Sequence, residues 1–374
     1  MHEEIKTLSW FQHIRLRTSW YIGRIGDGSD PRDGVYTLFK EILNNAIDEF
    51  RRGYGTLIEV SSDSQMFSVR DYGRGIAPER VKMVLQDYVR IGDVYSYTPD
   101  PKSDGIPMTI GLGGYGLKLN VALSSDFLIE SYGQKETERF HCARGEVLDS
   151  GKKTELSGTL VKVSVDHEIF GENPIRTEII EEIILTSVRL HKGLTITYSG
   201  KTYVSEHGLL DIVEEHLTGS PLYPPIHLEG KGIEVVLTHT DGDGTDILSF
   251  VNGHFTKEGG THSKALKRAA TVAINRVLGT DFPADICLKG ITGAVSINIL
   301  NPLFENELKS VLSSIYMDED DYYMDKDDYE RKNKGARKIS TSIYEVVVSG
   351  LAAYLSDNPE VLDIIRRRLK NRGK

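Results

Sequence analysis

Three short segments in a fixed order constrain the fold of this 374-residue chain more than any other feature of its sequence. They are EILNNAID at 41–48, DYGRGI at 71–76 and GLGGYG at 111–116, so their first residues lie 30 and 40 residues apart. The first segment contains two carboxylates and two amides. The second contains an aspartate and two glycines, and the third contains four glycines. Each segment alone is a weak signal. Together they predict one polar site built from a helix, a strand end and a glycine-rich loop.

The length of the chain favours two domains rather than one. The Pro-rich segment SPLYPP at 220–225 suggests the boundary, and we expect domains at 1–222 and 223–374, with an acidic insert at about 317–330. The formal net charge of −10 argues against a uniformly basic surface, so any DNA contact would be local. Two distant cysteines without metal-ligand spacing favour a reducing cytoplasm. No signal peptide or membrane span is expected.

The apolar pattern of the first domain predicts an α+β fold. Phe39, Leu43, Ala46 and Phe50 recur at helical spacing and predict a helix over 34–52. Two β-rich runs, at 56–60 and 65–70, predict an antiparallel hairpin. Further strands are expected at 126–132, 158–165 and 194–198, and a further helix at 176–190. We expect the helices to cover one face of a mostly antiparallel sheet.

The second domain restarts the pattern after a helix at 208–217. Runs at 232–239 and 246–252 flank Asp241-Gly-Asp-Gly and predict a hairpin, although the same carboxylates loosely resemble a calcium loop. A helix over 263–278 and a strand over 294–300 follow, an order that permits a crossover connection. The last helices are expected at 340–355 and 359–370.

A polar stripe runs along the helix predicted at 34–52. Glu41, Asn45, Asp48 and Arg52 recur at spacings of four, three and four residues, so they share one face. The stripe is compatible with an ordinary solvated surface. It also fits a ligand set, because asparagine is a mediocre helix former and its amide oxygen suits Mg²⁺.

The segment at 71–76 places an aspartate and two glycines just after a strand. Glycines allow a flat ring to approach the backbone closely, and Asp71 could accept a hydrogen bond from the exocyclic amine of adenine. In isolation the segment also fits a plain β-turn. Arg74 and Glu49 carry opposite charges and are predicted to pair, which would hold the loop to the helix.

The third segment precedes an apolar helical pattern. Exposed backbone amides at such a point bind phosphate, although a glycine run is also typical of a hinge. The segment is neither a P-loop nor a dinucleotide-binding fingerprint. Residues 92–110 resemble a flap over a bound nucleotide.

The order of these segments resembles that of the GHKL class of ATPases, and more narrowly that of the ATPase (B) subunits of bacterial type IIA topoisomerases, gyrase B and topoisomerase IV B. Three further stretches carry the resemblance across most of the chain, namely 15–23 (RLRTSWYIG), 249–262 (SFVNG and EGGTH) and 301–309 (NPLFENELK). The resemblance implies an N-terminal GHKL (Bergerat) α/β sandwich and a second α/β transducer domain with a crossover connection and C-terminal helices.

The resemblance also implies roles for individual residues. Glu41 would be the general base, Asn45 the Mg²⁺ ligand, Asp71 the adenine reader and Lys309 the γ-phosphate contact. The implied nucleotide-binding set consists of Asn45, Asp48, Asp71, Gly73, Gly75, Ile76, Gly111, Leu112, Gly113, Gly114, Tyr115, Gly116 and Thr159.

The implied cofactors are ATP and Mg²⁺. The implied partners are a second copy of the chain, double-stranded DNA and the A subunit of a topoisomerase, the last held through regions absent here. ATP would drive dimerisation into a gate for DNA. The cleaving tyrosine of the family belongs to a different polypeptide, so hydrolysis without DNA cleavage is expected.

The chain departs from the family pattern at Thr37, where histidine is usual, and at Glu307, where glutamine is usual. Two alternatives remain, namely a chaperone-type or mismatch-repair-type GHKL ATPase and a nucleotide-dependent clamp that does not hydrolyse ATP. Of the other polar and aromatic residues, His254 and His262 are interpreted as structural rather than phosphate-adjacent, and Trp10 and Trp20 as packing residues.

Overall fold

A computed structural model of the chain describes residues 8–76, 81, 116–132, 137–144, 146–150, 157–299, 302–305, 309–317 and 336–372. The described residues form two compact units, unit 1 ending at Ser205 and unit 2 beginning at Glu206. Each unit has its own hydrophobic core. The domain boundary at 222/223, placed from the Pro-rich segment, stays a prediction.

Unit 1 contains one mixed sheet, whose strands in the described residues follow the order β5-β4-β3-β6-β2-β1-β7-β8. The strands are β1 Leu57–Ser62, β2 Met66–Asp71, β3 Ser124–Tyr132, β4 Thr137–Ala143, β5 Glu146–Ser150, β6 Gly158–Val165, β7 Thr195–Tyr198 and β8 Lys201–Tyr203. Neighbouring strands are antiparallel except β1 and β7, which are parallel. The predicted β1–β2 hairpin is confirmed, and Val60 pairs with Val69.

The described helices of unit 1 pack on this sheet or on one another. They are α1 Trp10–Leu16, α2 Thr18–Ile22, α3 Gly34–Arg51, α4 Gly116–Ala122, α5 His167–Phe170 and α6 Thr177–Leu190. Helix α3, which the apolar spacing predicts, buries Tyr36, Phe39 and Leu43 completely. The Phe39 ring meets the Phe67 ring of β2 edge-on, with centroids 5.4 Å apart. This packing fixes α3, and with it the polar stripe, against the strand that ends at Asp71.

Unit 2 contains a second mixed sheet, in which the described strands follow the order β12-β11-β13-β10-β9. The strands are β9 Ile226–Gly230, β10 Ile233–His239, β11 Asp246–Val251, β12 His254–Phe255 and β13 Ile291–Ile297. The hairpin predicted from the runs at 232–239 and 246–252 is wrong, because β13 lies between β10 and β11. It pairs antiparallel with β10 and parallel with β11, so the predicted crossover connection is confirmed.

The described helices of unit 2 are α7 Leu209–His216, α8 Thr261–Leu278, α9 Ala284–Cys287, α10 Ile339–Asp357 and α11 Pro359–Arg372. Helix α10 is the one described helix long and apolar enough to cross a membrane by length and composition. Its apolar residues Ile343, Val347 and Leu351 are buried in the unit 2 core, where α10 packs on α8, as in a core helix. The predicted acidic insert lies, from residue 318 onward, outside the described residues.

Candidate functional site

Glu41 and Gly116 lie in direct contact in unit 1. Glu41 is half-buried on α3, and Gly116 is the first residue of α4. A β-carbon built on Gly116 would lie 2.5 Å from Glu41 Oε2 and 3.0 Å from Glu41 Cβ, so only glycine permits this approach. The structure therefore brings the end of the glycine-rich segment to the predicted base. The rest of the segment, 111–115, lies outside the described residues.

The polar stripe of α3 is only partly solvated. Asn45 is exposed, Glu41 and Arg52 are half-buried, and Asp48 is 5% exposed. The charge of Asp48 acts on the neighbouring guanidinium of Arg51, whose pKa is lowered by burial and only partly restored by that carboxylate. An ordinary solvated surface does not explain the burial of Asp48. The side-chain amide of Asn45 is exposed and accessible to a ligand.

The predicted pair of Glu49 and Arg74 is confirmed. Arg74 donates from Nη2 to Glu49 Oε1 at 2.9 Å and from Nε to Glu49 Oε2 at 3.1 Å, and its backbone amide donates to Oε2 at 3.0 Å. Burial alone raises the pKa of Glu49, but the hydrogen bonds and charge of Arg74 bring it below its ordinary value. The guanidinium also lies 4.4 Å from the ring centroid of Tyr54. These contacts hold the 71–76 loop to the C-terminal half of α3.

Asp71 is the last residue of β2 and is 7% exposed. Its Oδ1 accepts hydrogen bonds from the amides of Gly73 at 2.8 Å and Thr159 at 3.2 Å. Its Oδ2 accepts no hydrogen bond from the described part of the chain. Burial raises the pKa of Asp71 to about 7, helped by the charge of Glu49 and opposed by the two amides and Arg70. One carboxylate oxygen thus shapes the loop while the second remains available to a ligand.

The 71–76 loop is also held by β3 and β6. Ser131 Oγ of β3 accepts from the Ile76 amide at 2.5 Å and donates to the Ile76 carbonyl at 2.8 Å. Gly158 of β6 has a φ of +93°, and a β-carbon there would collide with the Asp71 carbonyl. Glu49, Ser131 and the start of β6 all contact the loop. Its conformation is therefore fixed by tertiary contacts, unlike that of an ordinary surface turn.

Three site residues were not predicted from the sequence as parts of the site. Ser131 holds the loop, as described above. Asn120, completely buried in α4, donates from Nδ2 to the carbonyls of Leu38 and Gly116. Lys118 is 2% exposed, and its Nζ lies 4.8 Å from the ring centroid of Trp10. A polar residue within the apolar run 117–123 was the available signal for Lys118 and Asn120.

The two tryptophans behave differently. Trp10 is partly buried against the unit 1 core, as a packing residue should be. Trp20 is 65% exposed, so its interpretation as a packing residue is wrong. The Arg17 guanidinium lies 5.0 Å from its ring centroid. Trp20 lies on α2, four residues after Leu16 of α1, which is 64% exposed.

In unit 2, the segment at 309–314 is bonded to the segment that starts α8. The Glu258 amide donates to the Ser310 carbonyl at 3.0 Å, and the Leu312 amide donates to the Gly259 carbonyl at 3.0 Å. The Thr261 amide donates to the Leu312 carbonyl at 3.1 Å. The two stretches that carry the family resemblance in this half therefore form one local structure. Glu307 lies outside the described residues.

Lys309 is half-buried and has a φ of +54°, a left-handed conformation that a non-glycine residue rarely adopts. Its Nζ lies 3.5 Å from Nε2 of His254, which begins β12. The backbone bonds between 258–261 and 310–312 supply the framework that maintains this conformation. The amine is thus presented from a fixed loop.

His262 belongs to a buried network with Ser249 and Thr256. The Thr256 hydroxyl donates to the Ser249 carbonyl at 2.8 Å, so its oxygen accepts from His262 Nε2 at 3.1 Å. His262 Nδ1 is buried without a hydrogen-bond partner among the described residues. Burial lowers the pKa of His262 to about 4, so the ring stays neutral. These contacts agree with a structural role.

Comparison with known proteins shows which family this chain resembles. The family model described as "Histidine kinase-, DNA gyrase B-, and HSP90-like ATPase" matches residues 30–168, and the model described as "DNA gyrase B" matches residues 201–319. The chain is thus similar in both halves to the gyrase B family, to its ATPase region in the first half and to a gyrase B-specific region in the second. The match of unit 1 to the ATPase model implies ATP binding.

Curated relatives support the assignment. The B subunit of DNA topoisomerase 4 from Borreliella burgdorferi is 35% identical over 83% of this chain and 51% of its own length. The B subunit of the type 2 topoisomerase from Aquifex aeolicus is 30% identical over 83% of this chain and 42% of its own length. The chain thus spans about half the length of the curated relatives it matches.

Solved structures share the fold. The 43K ATPase domain of Thermus thermophilus gyrase B, crystallised with an aminocoumarin, superposes with a TM-score of 0.69 at 24% identity, covering 96% of this chain and 94% of that one. The topoisomerase IV ATP-binding domain of Francisella tularensis superposes with a TM-score of 0.70 at 18% identity. This match covers 97% of this chain and 98% of that one. The α+β sandwich and the second mixed α/β domain expected from the sequence are therefore present.

Proposed function

We propose that this chain binds ATP in unit 1 and hydrolyses it, with Glu41 as the general base. The contact between Glu41 and Gly116 carries the proposal, since it places a carboxylate at the end of the glycine-rich segment. A base must lie within hydrogen-bond reach of the water it activates, and a half-buried carboxylate beside the phosphate-binding backbone meets that need.

Asp71 is proposed to select adenine. Its Oδ1 is occupied by two backbone amides, while Oδ2 has no hydrogen bond within the described residues. A carboxyl oxygen that carries no proton accepts from the exocyclic amine of adenine, whereas guanine presents an acceptor at that position. The nearby Gly73, Gly75 and Ile76 would line the space for the base, and Thr159 would hold the aspartate through its amide.

Phosphate and metal binding are proposed for α3 and the glycine-rich segment. The exposed Asn45 offers an amide oxygen, the donor type that Mg²⁺ accepts, while Asp48 stands one turn further along the stripe. When bound, Mg²⁺ would neutralise phosphate charge, a large contribution to phosphoryl transfer. The backbone of Gly111, Leu112, Gly113, Gly114, Tyr115 and Gly116 would contact the phosphates.

Lys309 of unit 2 is proposed to contact the γ-phosphate. The proposal rests on the family pattern and on the fixed loop that presents this amine. A lysine that binds only the terminal phosphate loses its partner after hydrolysis. Such a contact would link the chemical step to a change of domain arrangement.

At the level of the whole protein, we propose the ATP-driven gate of a type IIA topoisomerase. ATP would bring two copies together around a DNA duplex, and hydrolysis would release them, with no DNA cleavage by this chain. The A subunit of the topoisomerase would be a further partner of the whole protein. We place the protein in the cytoplasm, at the nucleoid.

The discriminating experiment is phosphate release by the wild type and Glu41→Ala, with and without linear DNA. We expect ATP turnover that depends on Glu41, and equal rates for the two proteins would refute the catalytic assignment. Light scattering with a non-hydrolysable ATP analogue tests dimerisation, which a persistent monomer would contradict.

A clamp that does not hydrolyse ATP is the second candidate. One observation favours it, because Thr37 Oγ1 donates to the Ile22 carbonyl at 3.3 Å rather than to Glu41. A clamp would dimerise with the ATP analogue yet release no phosphate. The two assays together therefore separate the gate from the clamp.

A further inference from the structure

We propose that Asn120 is a positioning residue for Glu41, tying the first turn of α4 to α3 so that the carboxylate and Gly116 keep their contact. The inference rests on the proposed function, because it assigns Asn120 a part in ATP hydrolysis. It goes beyond that function by naming what holds the base in place.

The side-chain amide of Asn120 bridges two helices. Its Nδ2 donates to the Gly116 carbonyl at 2.9 Å and to the Leu38 carbonyl at 3.1 Å. Carbonyls only accept hydrogen bonds, so the nitrogen of the amide must face both of them. Asn120 is 0% exposed, which protects both bonds from competition with water.

Both acceptors border Glu41. Leu38 lies three residues before Glu41, within one turn of α3. Gly116 is the residue that leaves no space for a β-carbon beside the Glu41 side chain. One amide group therefore holds the two backbone segments next to the Glu41 carboxylate, namely the turn of α3 that precedes Glu41 and the start of α4.

The other end of the amide argues against stability as the reason for this residue. Asn120 Oδ1 is buried and has no hydrogen-bond partner among the described residues, an unfavourable state for an acceptor. Both carbonyls lie in helices, where each has the amide four residues further along as a partner. A leucine of similar size would remove the unsatisfied oxygen and suit the neighbouring Leu119 and Val121. A residue kept only for packing would be apolar here.

The test is Asn120→Leu in the full chain, with kcat, KM for ATP and the melting temperature measured together. We expect kcat to fall on the order of ten- to a hundredfold, since small displacements of a catalytic group have such effects. We expect KM to stay within about threefold and the melting temperature to be unchanged or higher. In a Glu41→Gln background the same substitution should cause no further loss.

Ser124→Ala is the matched control. Ser124 is also completely buried, and its Oγ donates to the Val121 carbonyl at 3.3 Å, at the far end of α4 from Glu41. Removing this hydroxyl deletes a buried polar group beside the same helix without touching the bridge. We expect the kcat of this variant to match that of the wild type.

Each outcome decides the proposal. An Asn120→Leu protein with wild-type kcat overturns it. So does a fall in kcat that parallels a loss of melting temperature in both Asn120→Leu and Asn120→Thr, because that result describes a structural residue. Failure of the proposed function appears separately, as wild-type and Glu41→Ala proteins with equal phosphate release, and would remove the basis of the inference as well.

Discussion

Gly116 and Glu41 are packed so closely that no β-carbon fits between them. The carboxylate Oε2 would lie 2.5 Å from such an atom, and Glu41 Cβ would lie 3.0 Å from it. The first distance involves the flexible end of the side chain, whereas the second involves an atom fixed by the backbone of α3. Any side chain at position 116 would therefore have to push the Glu41 side chain away from its present place.

The first prediction concerns Gly116→Ala. Alanine suits a helix better than glycine, so the backbone of α4 should not be weakened. The added methyl group must displace the Glu41 side chain, and we expect ATP turnover to fall at least about tenfold. Steady-state phosphate release measures this. Gly244→Ala is the control, because a β-carbon there meets nothing within 4 Å. An active Gly116→Ala protein would contradict the assigned contact.

The second prediction concerns Arg74→Ala. The Arg74 side chain is 42% exposed, so losing its ion pair with Glu49 should change the free energy of unfolding by less than about 1 kcal/mol. The loop that follows Asp71 would lose its side-chain tether to α3 and keep only the hydrogen bond from the backbone amide of residue 74 to Glu49, and we expect ATP affinity to fall about fivefold. Titration with a fluorescent ATP analogue checks this. Arg139→Ala, which removes a surface pair with Glu130, should leave affinity unchanged. Equal losses in the two variants would show that the tether is irrelevant.

Local patterns predicted the elements around this site well. Helix α3 follows from its apolar spacing, and the pair of Glu49 and Arg74 follows from charge, because both depend on residues that the nearby fold brings together. The polar members of α4 were harder to assign. Asn120 interrupts an apolar run, but its role depends on Leu38, 82 residues away in sequence.

Strand order was the part that the sequence could not supply. The runs that became β10 and β11 flank a turn-like segment, which locally favours a hairpin. The strand between them, β13, follows α8 and α9 in the sequence. It is almost completely buried because it lies inside the sheet, a position that no local sequence pattern indicates. Strands β5 and β8 were missed for a related reason, since they form the edges of the unit 1 sheet. Edge strands carry polar residues that weaken the alternating pattern.

The third prediction uses the titration of Asp71. Its pKa of about 7 in the folded chain lies above the ordinary value of 3.8, so folding is favoured by its neutral form. That stability is fully present below the unfolded pKa and is lost as the pH rises through about 7. Asp71→Asn removes this titration, so we expect the variant to melt at a higher temperature than the wild type at pH 8, with the difference shrinking toward pH 4. The same variant should bind ATP poorly. A wild type whose relative stability does not change with pH would contradict the assignment.

The fourth prediction concerns acid stability and His262. Burial lowers its pKa to about 4, so the unfolded chain, with a histidine pKa of about 6.5, binds the proton more tightly. The contribution of His262 to stability should be flat above pH 6.5 and should fall as the pH drops from 6.5 toward 4, by about 2 kcal/mol at pH 5. Denaturant unfolding of His262→Asn should show a shallower fall. His207→Asn, at a side chain that is 65% exposed, should retain the wild-type slope. Parallel slopes for the wild type and His262→Asn would contradict the assignment.

The last prediction separates the backbone of Lys309 from its amine. A φ of +54° strains any residue with a β-carbon, and glycine adopts it without that cost. Lys309→Gly should therefore stabilise unit 2 by up to about 1 kcal/mol, whereas Lys309→Ala should not. Both variants lack the amine, so both should lose ATP turnover to the same extent if the γ-phosphate contact is made. Melting curves and phosphate release measured on the two proteins give the comparison. Turnover that recovered in one variant and not in the other would show that loop geometry, and not the amine, is what hydrolysis requires.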